Sequence, residues 1–263
     1  TDRNRTSPLA FTGMKFEFRA VGSSQSIAFP VMLLNAAVAE AIAELTDKLR
    51  QLINDGTPVD DAVLAVVSEA FRETKAVRFE GNGYSTEWLE EAAKRGLPNF
   101  AKTPEALEQM ITAQSRHTLT SLGILSDAEL ESRFHVRMER YVKDVMIELL
   151  TLKEIVDTLI LPAAFKYHGV LSQAAAAAHI PQVAQANHIG TMILELQTRR
   201  DTLASVLDRA DGLHHDVTAQ AKLLTSEGTA AAESVRERCD ALELVVDDAA
   251  WPLPKYREIL FPV

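Results

Sequence analysis

In the stretch KFEFR, charged side chains at Lys15, Glu17 and Arg19 alternate with aromatic ones at Phe16 and Phe18. Successive side chains of a β-strand point to opposite faces, so this spacing gathers cation, anion and cation on one side and two phenyl rings on the other. Upstream, Arg3 and Arg5 in DRNR add to the same positive surround if the intervening segment folds back. Guanidinium groups offer paired donors in a fixed fork that suits phosphate and carboxylate oxygens. A carboxylate held between cations stays ionised, and in that state Glu17 can ligate a hard cation such as Mg²⁺ or Mn²⁺. One carboxylate does not complete such a site, and the only other acid near the motif is Asp2. The plainer reading is a solvated strand face whose ion pairs are each worth at most about 1 kcal/mol.

Stepping along the chain, the elements that must position this strand are helical. Apolar residues recur at Val31, Leu34, Val38, Ile42, Leu45, Leu49 and Leu52, the three-to-four spacing of one helix face. Gly56 can cap that helix, and Thr57 with Pro58 reads as the N-cap and first turn of the next, which carries Val63, Val66, Val67, Ala70 and Phe71. In RFEGNGYSTEW the glycines Gly81 and Gly83 are expected to serve turns with positive φ, and Ser85 to cap a short helix running through Lys94. Thr103 with Pro104 opens another helix, and Ser126 with Glu129 has the spacing of a capping box. A stripe from Leu130 to Leu159 then runs up to Pro162, which suggests an extended helical hairpin. Pro181 marks a break after the helix-forming run of Ala174 to Ala178. Two near-heptad stripes follow, Leu196, Leu203, Leu207, Ala210 and Val235, Cys239, Leu242, Val246, separated by the polar stretch around SEG. The expected fold is mainly α: a short N-terminal β piece followed by a bundle of long antiparallel helices, each lending one apolar seam.

A formal net charge of -10 with no basic block argues against nucleic acid or an anionic membrane as partner, because both need clustered Lys and Arg. The single cysteine, Cys239, excludes an intramolecular disulfide, and no Cys/His cluster has zinc-finger spacing, so a reducing cytoplasmic compartment is expected. Cys239 itself reads as a small apolar residue on a helix face. No stretch is expected to reach the length and hydropathy of a membrane span, and the polar start is no signal peptide. The missing initiator Met, with the charged strand so close to the start, suggests the C-terminal part of a longer polypeptide. The neighbours His214 and His215 read as a solvated helix or turn, His135 as part of a surface lattice of charges, and Trp88 and Trp251 as packing anchors.

NRTSP followed by KFEFR resembles the segment of glutamine synthetases in which an arginine after Asn, then a Glu and an Arg two apart on a strand, complete the active site. The longer run TDRNRTSPLAFTGMKFEFRAVGSSQS, with EGNGYSTEWLEEAAKRGL downstream, is similar to the type III, long-chain members, which carry an added helical C-terminal region. The resemblance implies that ATP phosphorylates the side-chain carboxylate of glutamate and that ammonia then displaces phosphate to give glutamine. By position it implies that Glu17 ligates one of two divalent metals, Mg²⁺ or Mn²⁺. Arg19 binds substrate glutamate and the acyl phosphate, Arg5 approaches phosphate and glutamate, and Lys15 lies near ATP. Metals and arginines are the expected parts, since phosphoryl transfer depends on positioning and on neutralising charge that builds on oxygen. On this view the charged face is the floor of the site, and Phe16 and Phe18 hold it against the core.

The sequence departs from the family pattern in two places. TSPLAFTG is a shorter, neutral loop where many members carry a second arginine, and the family's other metal ligands, several glutamates and a histidine, lie upstream of anything present here. The resemblance therefore implies the end of the catalytic domain over residues 1–55, a helical region over 56–263, and a segment inactive alone. It also implies glutamate, ammonia and ATP as partners, and a large ring-shaped homo-oligomer with sites between neighbouring subunits. The alternative from another class is a non-catalytic helical scaffold or oligomerisation module.

Overall fold

The computed structural model describes residues 9–11, 15–19, 22, 25–178 and 182–260. Two three-residue strands, β1 (Leu9–Phe11) and β2 (Phe16–Phe18), pair antiparallel, and helices account for nearly all the rest, so the chain is mainly α. It divides into two compact units, residues 1–101 with 109–131, and 102–108 with 132–263.

The first unit is built on α1 (Ala28–Asn54) and α2 (Val59–Glu73). Gly56, at φ 92°, closes α1: its N–H bonds the Ile53 carbonyl and the Thr57 N–H bonds that of Leu52, the paired bonds of a glycine cap. Pro58, not Thr57, takes the N-cap of α2, and no side chain caps that end. Lys48 ties the two helices by bonding Glu69 at 2.8 Å and lying 3.7 Å from Glu73. Ser85 caps α3 (Thr86–Lys94) by accepting the Trp88 N–H, as the spacing predicted. Gly81 and Gly83 are absent from the positive-φ glycines among the described residues. Gly81 is required for space: a Cβ there would sit 2.8 Å from the Phe79 ring. That ring stacks on Trp88 at 4.4 Å, and Arg95 lies over the other aromatic while donating to the carbonyls of Ala76 and Arg78. α5 (Ala113–Ser121) leads to α6 (Asp127–Ile155), whose start is the predicted capping box, with the Ser126 N–H bonding Glu129 at 2.8 Å and the Glu129 N–H bonding Ser126 Oγ at 3.3 Å.

Pro162 does not end a hairpin. The helix passes through a π turn at Val156–Ile160 and continues as α7 (Leu161–Ala178). A widened turn just ahead of a proline relieves the clash of its ring with the preceding carbonyls and the loss of its N–H. The expected break at Pro181 lies outside the described residues. Beyond it α8 (Gln182–Gly212) packs along α7, with Gly190 giving His168 room: a Cβ would come within 3.2 Å of its Nε2. The SEG stretch is likewise a π turn, Leu224–Gly228, joining α9 (Val217–Leu223) to α10 (Thr229–Glu243). The break falls at residues 213–216 instead, where His214 and His215 are solvent-facing.

Every residue of the two predicted heptad stripes is buried, the first on α8 and the second on α10 with Val246 just past its end. Arginines lock this core at its edges, Arg200 to Asp157, Arg238 to Glu195 at 2.7 Å, and Arg199 to the Ser234 carbonyl at 2.7 Å. Inside, Tyr141 and Thr225 meet oxygen to oxygen at 2.7 Å; Thr225 gives its own proton to the Ala221 carbonyl, so the tyrosine is the donor. Burial pushes the Cys239 thiol up to about 12, as fits its packing role.

α1 overturns one expectation: by length and composition it passes as a candidate membrane span, with Glu40 and Glu44 near its middle. Its predicted seam is also not in a core. Of that seam Val31, Val38, Ile42 and Leu45 are 38–60% exposed and Leu34, Leu49 and Leu52 are half-buried, whereas the buried position is Ala36 on the other side.

Candidate functional site

The register of β1 with β2 places Leu9 opposite Phe18, Ala10 opposite Glu17 and Phe11 opposite Phe16. Alternation along β2 then does what the sequence required of it. Lys15, Glu17 and Arg19 share one side, and Arg19 Nη2 donates to Glu17 Oε2 at 3.0 Å while Lys15 Nζ lies 3.8 Å from the other carboxylate oxygen. Arg19 is the most enclosed of the three and Lys15 the most open to solvent. Glu17 acts first as the aligning group for that guanidinium. Guanidinium groups held in a fixed orientation suit the oxygens of carboxylates and phosphates.

Two parts of the expected arrangement fare differently. Arg5, with Arg3 and Asp2, lies outside the described residues. Phe16 and Phe18 do not sit against a core: they are 67% and 41% exposed, because a two-stranded hairpin has no layer to pack on unless another element supplies one.

A divalent cation takes several oxygen ligands, and among the described residues no group of three His, Cys, Asp or Glu side chains converges. The described residues therefore supply one carboxylate, and by themselves do not fit the metal. Sequence reasoning missed the Phe79, Trp88 and Arg95 brace, whose members are separated by a loop and linked by no periodic pattern.

A model of the glutamine synthetase C-terminal domain matches residues 62–179, from α2 through α7. Over 99% of its length the chain is 35% identical to a glutamine synthetase of Bacteroides fragilis (strain YCH46). It is equally 35% identical, over 99% of its length, to a type-3 glutamine synthetase of Dictyostelium discoideum. The chain belongs to the glutamine synthetase family. A third glutamine synthetase, of Butyrivibrio fibrisolvens, is 37% identical over 66% of the chain. The chain spans 37% of the length of each of the first two relatives and 24% of the third. The C-terminal domain match begins at residue 62, so the charged strand β2 lies outside it and inside the longer alignments.

Proposed function

We propose that the chain is the C-terminal part of an ATP-dependent glutamate–ammonia ligase that makes glutamine through a glutamyl phosphate, and that 263 residues alone do not perform the reaction. The observation that carries this reading is the Lys15, Glu17, Arg19 face of β2, ordered by the 3.0 Å ion pair, in a chain 35% identical to glutamine synthetases over 99% of its length. Arg19, held by Glu17, binds the substrate carboxylate and the oxygens of the acyl phosphate, and Arg5 approaches the same oxygens. Lys15, open to solvent, meets the phosphates of ATP. Glu17 is one oxygen ligand for Mg²⁺ or Mn²⁺, the remaining ligands being supplied from outside this chain. The same reading gives a cytoplasmic, ring-shaped homo-oligomer with sites shared between neighbouring subunits. It places the end of the catalytic domain at residues 1–55.

The test is ATP-dependent glutamine formation by the whole polypeptide and by variants at these positions. Glu17→Ala and Arg19→Ala are expected to lower kcat by about a hundredfold or more, the scale of losing one preorganised charged group at a transition state. The 263-residue chain is expected to make no glutamine. Full activity of Glu17→Ala would remove the catalytic assignment of β2 and leave the rival reading, a non-catalytic helical scaffold.

A further inference from the structure

α1 packs by its weaker side. The face it buries holds Ala36, and next to it Glu40 accepts a hydrogen bond from Thr118 Oγ1 at 2.6 Å. At 100° per residue, Val31, Val38, Ile42, Leu45 and Ile53 fall within a narrow stripe on the opposite side, and this strongest apolar stripe of the helix is the exposed one. α2 repeats the pattern: Ala62 and Val66 are buried, while Val59, Val63, Val67 and Phe71, at four-residue intervals, are 40–57% exposed. Contiguous apolar stripes of this kind are uncommon on free surfaces, so these two faces call for a cover. The β-hairpin makes the same demand independently, because two strands of three residues are marginal without further strands or a packing layer, and Phe16 and Phe18 are largely exposed.

We propose that the outward stripes of α1 and α2 are the docking face for the part of the synthetase polypeptide outside these 263 residues, and that this contact holds the Glu17–Arg19 strand in place. The inference rests on the reading of the chain as part of a longer synthetase. The relatives carry well over half their length beyond the matched portion, which is ample chain for such a cover. β2 ends at Phe18 and α1 begins at Ala28, a connection short enough for one covering element to reach both. Glu40 and Glu44 near the middle of α1 disfavour a helix that crosses a bilayer.

The experiment uses the whole polypeptide, with Ile42→Cys on the stripe and Asp47→Cys, away from it, as the exposed control, each thiol followed by peptide-resolved mass spectrometry during alkylation. Cys at 42 is expected to react about tenfold or more slowly than Cys at 47, as a site does when it is reached only through local opening. Hydroxyl-radical footprinting of Val31, Ile42, Leu45 and Phe71 in the wild-type protein gives the same reading without a variant. Equal reactivity at 42 and 47, with strong footprinting of the stripe, overturns the proposal. Protection that disappears when subunits are separated by dilution assigns the face to a second copy, and protection that appears only with phosphatidylcholine/phosphatidylglycerol vesicles assigns it to a membrane; either result overturns it. Glutamine formation by the wild-type protein is measured separately, so loss of the synthetase reading is distinguishable from loss of this one.

Discussion

Asp157 sits in the first π turn and receives two cations. Arg200 Nη1 from α8 donates to its Oδ1 at 2.7 Å, and Lys153 Nζ donates to its Oδ2 at 2.9 Å. The Asp157 and Arg200 side chains are about one quarter exposed, so the bond between them is neither free of solvent nor fully screened. A hydrogen bond to a charged group contributes about 1.5–3 kcal/mol when enclosed, and partial exposure brings the expected coupling here to about 1–2 kcal/mol. The clean measure is a double-mutant cycle of Asp157→Asn, Arg200→Gln and the pair, because each single change also strands its partner. Trp251 is buried in the same unit and reports its unfolding in urea once the second tryptophan is removed by Trp88→Phe. Asp157→Asn alone is expected to lose more than the coupling, since it also removes the charge that Lys153 bonds, while Arg200 keeps Asp201 at 3.0 Å. A coupling below about 0.3 kcal/mol, within the range seen for independent sites, refutes the claim that this pair ties α8 to the π turn.

Two further outcomes follow from electrostatics. Lys48 holds Glu69 below the ordinary glutamate range by hydrogen bond and charge, and Glu69 with Glu73 raises Lys48 in turn. Because the folded value of Glu69 is depressed, its contribution to the α1–α2 clasp is present above about pH 4.3 and is lost as pH falls through the folded value. The difference in stability between wild type and Lys48→Met should therefore shrink from pH 5 to pH 3, and a difference that stays constant over that interval contradicts the assignment. Cys239, at about 12, is expected to alkylate at pH 8 about a thousandfold more slowly than an unperturbed thiol, with urea restoring the rate; fast modification of the native chain would place the thiol outside the core.

Local chemistry was the most legible part of the sequence. The Ser126 and Glu129 capping box, the Gly56 cap and the Ser85 cap depend on residues within five positions of one another, and all three form. The stripes on α8 and α10 were readable because each helix finds its partners within the same unit. Periodicity on α1 was read with equal ease and its burial wrongly, since a pattern of apolar residues states that a helix has two faces and not which neighbour covers one of them. Gly81 was assigned to a backbone need when the need belongs to the Phe79 ring, and no feature of GNGY alone records where that ring lies. In the candidate site, the alternation of β2 carried the Glu17 and Arg19 juxtaposition correctly, whereas the support expected under Phe16 and Phe18 depended on tertiary structure that these residues do not encode.

The π turn at Val156–Ile160 can be seen as a calendar correction. Phe134, Met138 and Val142 step by four residues along α6, and Val156, Ile160 and Ala164 do so again beyond it, all of them buried. Four residues overshoot a 3.6-residue turn by about 40°, so a run of such steps precesses steadily around the helix. One wide turn takes up an extra residue within a single revolution, as a leap day absorbs accumulated error, and returns the later residues towards the side from which the earlier ones started. Closing that turn to ordinary α-helical bonding with every residue kept would rotate everything after it by about 100°, whereas deleting one residue there would restore unbroken bonding and leave the later residues nearly where they are. A continuous helix is thus the more damaging state for this sequence, and the irregular turn is what keeps its two halves telling the same time.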